Sequence, residues 1–303
     1  MVMLLRLLAP LAAFLWVLFA ARPASACAVC GAADKTLPAK GEEIGFAGRV
    51  RVTLDGRAAA FAARFTPLRV TEMRLVPGLA VAIGGGGGAT ASDRSDPVLV
   101  SVDAPILRRS LSLDGAASDR WMIGDVEGRV SWVAYRSRSR RLAVHGGIKA
   151  PTAPLERDPA GAMVPTDLQP GCGAIAPLVS ATYTWTSTLV TAWTTATLLF
   201  PVAVRAGLHP GDSPRASTTI QLQPARVFAT RLGVHGRLDA AGDRDGEVDA
   251  QSGGASVFVS PELVVSPVSD LVVSVGAAFP IVQETRGHRV TAPIALVGVG
   301  WDF

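Results

Sequence analysis

Ala295-Leu296-Val297-Gly298-Val299-Gly300-Trp301-Asp302-Phe303 closes the chain and decides how the rest of it reads. Ala295, Val297, Val299, Trp301 and Phe303 share one parity, while Leu296, Gly298, Gly300 and Asp302 share the other. Successive side chains of a strand point to opposite faces, so a period of two means two faces of different chemistry. The pattern recurs upstream. Leu271, Val273, Val275, Ala277, Phe279 and Ile281 alternate with a set that includes Ser274, Gly276 and Ala278. Val179, Ala181, Tyr183 and Trp185 alternate with Ser180, Thr182, Thr184 and Thr186. One face is large and apolar, and the other is small or polar. After residue 40 there is almost no i, i+3, i+4 apolar spacing, so the elements read as strands rather than helices.

A soluble sandwich also alternates, so the connections must separate the two architectures. Read back from the C-terminus, Glu284 to His288 is a modest loop and Ser266 to Ser269 a tight turn. Asp239 to Gly253 is long and Pro224 marks a tight turn; Gly207 to Pro214 is long and Thr186 to Thr188 tight. Pro151 to Gly171 is very long and Arg136 to Arg140 short. Strict alternation of long and short belongs to a transmembrane barrel, whose turns are short on the periplasmic side and whose loops are long outside. Thr188 to Val204 and Trp121 to Tyr135 read as strands of about 15 residues, well beyond the usual 5–6 and enough for a tilted membrane strand with overhang. The closing Trp301 and Phe303 fit the signal read by barrel-assembly machinery.

Residues 41–115 are less regular. Gly45 to Leu54, Ala58 to Val70, Glu72 to Ile83 and Val98 to Leu113 read as further strands. The glycine run Gly84 to Gly88 and the polar stretch to Pro97 read as an exposed loop. No Lys and no helix follow the glycines, so a phosphate-cradling loop is not supported. The expectation is a closed, antiparallel, all-β transmembrane barrel over 41–303 of about twelve strands, with ten to fourteen as the range. An even number keeps the C-terminus in the periplasm.

Composition agrees. Of 303 residues, 49% are hydrophobic and 18% charged, ample for burial and against disorder. Arg6 precedes the apolar stretch Leu7 to Ala21, and Ala24-Ser25-Ala26 gives a small-x-small cleavage pattern. Residues 1–26 therefore read as an export signal, with lipidation at Cys27 as an alternative. Removing Arg6 and Arg22 leaves 27 basic residues against 25 acidic ones, a balance that argues against nucleic acid.

The string Gly147-Ile148-Lys149-Ala150-Pro151-Thr152 ends one strand, and Leu168-Gln169-Pro170-Gly171-Cys172-Gly173 closes the long loop after it. Ser252 to Leu263 follows later, then a hairpin and Phe303. Over roughly residues 120–303 the chain resembles the outer-membrane transporters grouped as MetA-pathway of phenol degradation proteins. Ala153 stands where the family's K-x-P-T-G string has Gly, and Cys172 sits in its usual Gly-x-Gly turn. The resemblance implies an outer-membrane barrel and a channel for small, hydrophobic compounds.

Candidate sites are few. Cys27-Ala28-Val29-Cys30 is a CxxC in the segment 27–40, and it reads as a disulfide, as half of a metal site or as a redox pair. Gly31 replaces the His that c-type haem attachment needs. The third cysteine, Cys172, is a disulfide partner or a further metal ligand. Asp243, Asp245, Glu247 and Asp249 crowd one loop; it is a solvated loop or a weak divalent-ion site bridging to lipopolysaccharide. There is no G-x-S-x-G elbow and no triad order, so no enzyme is expected and no cofactor. Lys149, Arg205, Arg226, Arg231 and Glu262 lie on or beside strands as candidates for the lumen. A lipid-facing Arg at mid-depth costs about 2–4 kcal/mol, so mid-strand cations should point inward. There they either select solutes or pair with Glu262, Glu127 or Asp125 and fill the bore.

The expected function is an outer-membrane barrel of a Gram-negative cell that passes or binds small solutes, partnered by lipid and lipopolysaccharide. The alternatives are a non-transporting adhesin or envelope barrel, and a soluble periplasmic β-sandwich using the CxxC for metal or redox work.

Overall fold

The computed structural model describes residues 49–63, 67–84, 97–161, 163–164, 168–204, 207–244, 246–249, 252–268, 270–286 and 289–303. The export signal at 1–26, the CxxC segment at 27–40 and all but the first of the five glycines lie outside the described residues. In chain order the strands are β1 (Val50–Ala63), β2 (Arg69–Ile83), β3 (Val98–Asp103), β4 (Ile106–Leu113), β5 (Ala116–Ile123), β6 (Val126–Arg136) and β7 (Arg140–Ala150). Next come β8 (Ala174–Thr186), β9 (Val190–Leu199), β10 (Ala203–Val204), β11 (Leu208–His209), β12 (Ser213–Ala225) and β13 (Phe228–Asp239). The last are β14 (Asp243–Arg244), β15 (Glu247–Val248), β16 (Gly254–Val268), β17 (Leu271–Thr285), β18 (Arg289–Thr291) and β19 (Ile294–Asp302).

Twelve of them close into one antiparallel barrel. Its wall runs β1-β2-β3-β6-β7-β8-β9-β12-β13-β16-β17-β19 and returns to β1. The seam joins the first strand described to the last, with Arg51 opposite Asp302 and Ala58 opposite Ala295, while β1 pairs with β2 on its other edge. Closure leaves no open edge around this wall, so its backbone N–H and C=O groups are paired as hydrocarbon requires. Among the described residues no helix is long and apolar enough to cross a bilayer; strands make the crossing.

The alternation anticipated from the sequence is the alternation observed, and it is inside out. Val297 is 47% exposed and Phe303 70%, as are Val275, Phe279, Val179 and Tyr183 in similar degree. The small and polar partners Ser180, Thr182, Ser260 and Ser274 are buried. A soluble protein reverses this order. The rings of Trp301 and Phe303 stack at 5.9 Å on the outside of the final strand.

From β6 onward the tight turns lie at one end of the barrel, with both described chain ends, and the long connections at the other; the connection from β2 to β3 also joins at the tight-turn end. Four expected boundaries differ, the first being the strand expected over Val98 to Leu113, which parts at Ala104-Pro105 into β3 and β4. Gly45 to Leu54 and Ala58 to Val70 were expected as separate strands, but Val50 to Ala63 is one. Asp55-Gly56-Arg57 looks like a breaker, yet Asp55 and Arg57 take inward positions where polar groups are tolerated. The strand expected over Thr188 to Val204 ends at Leu199. Pro201 follows, and β10 folds back on β8, with Ala203 opposite Ile175. The strand expected over Trp121 to Tyr135 breaks at Gly124 and Asp125 into β5 and β6. There β4, paired with β2, forms a hairpin with β5, turning at Asp114 (φ 50°) and Gly115 (φ 86°).

Candidate functional site

The inward positions build a bore with two chemically different sides. On the ionic side, Asp302 accepts hydrogen bonds from Arg51 Nε at 2.6 Å and from Arg49 Nη2 at 2.6 Å. Glu72 and Arg74 are two residues apart on β2, hence on one face, and Arg74 Nε donates to Glu72 Oε1 at 3.0 Å. Arg109 on β4 brings its Nε to 3.1 Å from the other Glu72 oxygen. Arg129 Nε donates to Glu127 at 2.6 Å, and Arg237 pairs with Asp239. Arg231 on β13 stands opposite Glu262 on β16. Gly276 gives Glu262 its room, since a Cβ there would come within 2.5 Å of Glu262 Cγ.

The other side is uncharged. β8 and β9 carry no Asp, Glu, Lys or Arg. Their inward positions include Ser180, Thr182, Thr195 and Thr197, all buried. Thr182 and Thr195 hydroxyls lie 2.9 Å apart, and Thr197 donates to Ser180 at 3.1 Å.

At the long-loop end, the connection between β7 and β8 folds inward instead of projecting. Val164 and Leu168 pack with Leu68, Val70 and Leu111 on the inner wall. Arg109 is 2% exposed; it pairs with Glu156 and donates to the Leu168 carbonyl. Gln169 Oε1 accepts from Glu156 N at 2.8 Å, and its Nε2 donates to Val164 O at 2.7 Å. Burial pushes the Glu156 carboxyl above the usual carboxylate range, with Arg109 opposing. A second latch is Asp125, in the break between β5 and β6. It accepts from Ala153 N at 3.1 Å and from Cys172 N. A Cβ on Gly171 would collide with Asp125 Oδ1 and with Ala153 Cβ, so glycine is what lets the loop end approach.

The residues singled out from sequence fall as follows. Lys149 is buried at the end of β7, Nζ 3.9 Å from Asp125 Oδ2. Arg231 and Glu262 face the bore; Arg231 Nε donates to Gln221 Oε1 at 2.6 Å, and its guanidinium lies 5.6 Å from the Trp193 ring centroid. Arg226 was expected near the lumen but is exposed in the turn between β12 and β13, outside the bore. Cys172 is buried against Ala176, Leu178 and Leu199 and is disulfide-bonded. As a disulfide sulfur it offers no thiolate to a metal ion. Cys27, Cys30, Arg205 and Asp245 lie outside the described residues. Asp243, Glu247 and Asp249 sit in the small sheet of β11, β14 and β15 and the turn after it. Among the described residues no three His, Cys, Asp or Glu side chains converge on a point that would hold a metal ion.

Sequence reasoning passed over Glu72, Arg74, Arg109 and Glu156. The signal available was Glu72 and Arg74, opposite charges at alternate positions of β2, which share one face and can pair. The partner on a loop 47 residues beyond Arg109 left no trace in spacing.

An apolar exterior, a closed wall and a polar interior define a membrane-spanning β-barrel of the outer-membrane type. No protein-family model matches the chain, and no curated protein sequence matches it. Solved structures do. The chain is similar to the COG4313 outer membrane channel from Pseudomonas putida F1, at 11% identity and TM-score 0.71, over 87% of this chain and 99% of that one. It is also similar to the beta domain of the Bordetella autotransporter Brka, at 11% identity and TM-score 0.50, over 85% of this chain and 100% of that one. Both are likenesses of fold.

Proposed function

We propose that this barrel is a channel for small solutes in the outer membrane of a Gram-negative cell, working without covalent chemistry, with its C-terminus and tight turns in the periplasm. The observation that carries this reading is the inversion of polarity: ion pairs and hydroxyls line the inside while Val, Leu, Phe and Trp face out. Lipid is the solvent that makes such a surface stable, and a polar interior is the kind of lining that water-soluble solutes can pass. The long connections at the opposite end fit an outward-facing mouth. The resemblance over residues 120–303 supports placing the chain with the phenol-degradation transporters, and Trp301 and Phe303 with recognition by the assembly machinery.

The test is solute flux. Protein purified in detergent and reconstituted into liposomes is expected to give swelling in small isotonic solutes. Absence of both swelling and ionic conductance refutes the channel reading. It would favour a second one, an envelope barrel acting through its loops, which draws support from the β7–β8 connection folded into the mouth. Orientation is tested on intact cells, where a protease should reach epitopes placed in the long loops and not ones placed in the tight turns.

A further inference from the structure

We propose that the outer wall of β6, β7 and β8, at its tight-turn end, carries a binding site for the phosphate headgroup of an anionic glycerophospholipid, built by Arg138 and Arg140 over an aromatic shelf. This rests on the reading of the chain as a lipid-embedded barrel with its tight turns in the periplasm.

Register builds the shelf. Tyr135 of β6, Leu142 of β7 and Tyr183 of β8 stand side by side, and Trp132 lies opposite Val144 in the next row toward mid-membrane. In a regular strand Val133 and Tyr135 would share a face, yet Val133 is buried and Tyr135 exposed. The irregular pairing between them turns Tyr135 outward. The chain has two tyrosines in all, and both are here. Tyr and Trp settle at the bilayer interface, with the ring in hydrocarbon and the polar tip among headgroups. One row nearer the turn, Arg140 lies opposite Trp185. Arg140 is exposed and shares the parity of Leu142 and Val144, so it faces the headgroup layer and not the bore. Arg138 is exposed in the turn Ser137-Arg138-Ser139 between β6 and β7.

These two cations meet no carboxylate. Residues 128–150 and 174–186 contain no Asp or Glu, and neither Arg138 nor Arg140 is ion-paired among the described residues. The backbone that carries them is fixed. Ser137 N donates to the Arg140 carbonyl at 2.8 Å, and Thr186 N, at the end of β8, donates to the Ser139 carbonyl at 2.9 Å. A guanidinium presents its N–H donors in a planar fork that matches phosphate oxygens. The Trp185 indole N–H and the Tyr183 hydroxyl, on the same face, add donors. With no acid on these strand ends, the ammonium of a zwitterionic headgroup gains no partner, so net negative charge is favoured. The other tight turns differ: Thr186 to Val190 is uncharged, Pro224 to Val227 has Arg226 as its one charge, and Arg49 and Arg51 at the seam pair with Asp302. A turn this short keeps its arginines at the membrane surface, which favours lipid over the cell wall beyond it.

The experiment titrates the purified barrel, in non-ionic detergent, with phosphatidylglycerol or phosphatidylcholine of matched chains and reads binding by native mass spectrometry. Each arginine beside an anionic headgroup is worth about a factor of five, so wild type should bind phosphatidylglycerol roughly five- to twenty-five-fold more tightly. The double variant Arg138→Ser, Arg140→Ser alters exposed side chains alone, so the fold is retained, and it should bring the two lipids to within about twofold. Arg226→Ser, which removes a charge from another turn, should leave the preference intact. Equal binding of both lipids by wild type, or a preference that survives the double variant, overturns the site. So does a preference lost with Arg226→Ser, which would mean net charge and not place decides. If wild type binds both lipids equally yet sediments with isolated peptidoglycan, and the double variant does not, the arginines serve the cell wall and the lipid site is overturned. Protein that binds neither lipid and stays dissolved once detergent is removed fails the barrel reading itself.

Discussion

Val297→Arg separates a barrel in lipid from every soluble reading of the same alternation. Val297 lies near the middle of the nine-residue β19, between Gly56 on β1 and Val275 on β17, and its side chain is 47% exposed. At such a site on a soluble protein, a charged replacement stays within about 0.5 kcal/mol of wild type. In hydrocarbon near mid-depth the same arginine costs about 2–4 kcal/mol. That is a loss of roughly thirtyfold to several hundredfold in the folding equilibrium. Val268→Arg is the internal control. Val268 is as exposed but ends β16 beside a tight turn, where the bilayer interface lowers the cost to about 0–1 kcal/mol. Equilibrium urea unfolding in phospholipid vesicles, followed by tryptophan fluorescence, reads both. The reasoning is refuted if Val297→Arg lies within about 0.5 kcal/mol of wild type there, or if the two variants cost the same.

Further outcomes are expected of the inward-folded connection and the cysteine. Arg109→Met leaves Glu156 buried without its ion-pair partner and beside Glu72, which keeps only Arg74. It should destabilise by about 3–5 kcal/mol and open the Pro151–Gly173 connection to protease, read by unfolding and limited proteolysis. Glu156 faces Arg109, Glu72 and Arg120, and burial raises its proton affinity above that of the released loop. The docked loop therefore takes up a proton as pH falls. Docking should strengthen from the raised value downward and be weakest above it, so cleavage of the connection, scaled to Glu156→Gln, should quicken from about pH 4 to about pH 8. A scaled profile that is flat or reversed contradicts this. Cys172 should resist maleimide labelling in unfolded, unreduced protein and react after reductant; labelling without reductant would mean that the disulfide does not form in solution.

What the sequence determined by itself was the two-faced strand pattern, which together with the alternating connections pointed to the barrel. Parity along a strand is a local property, and Val297, Val299 and Trp301 show it within nine residues. The alternation of long and short connections is equally local, and it identified the architecture before any pairing was known. Strand limits at Asp55 and at Gly124-Asp125 were misread because breaker chemistry and bore chemistry use the same residues. Only the tertiary structure decided which residues meet across the wall. Arg109 finds Glu156 at a separation of 47 residues, and Arg51 finds Asp302 at 251. Such partnerships follow from register and closure, which sum small shifts around twelve strands. The inward fold of the β7–β8 connection was hidden for the same reason. A loop of Pro, Gly and polar residues reads as solvent-exposed until the charges that hold it, placed on distant strands, are brought to one mouth.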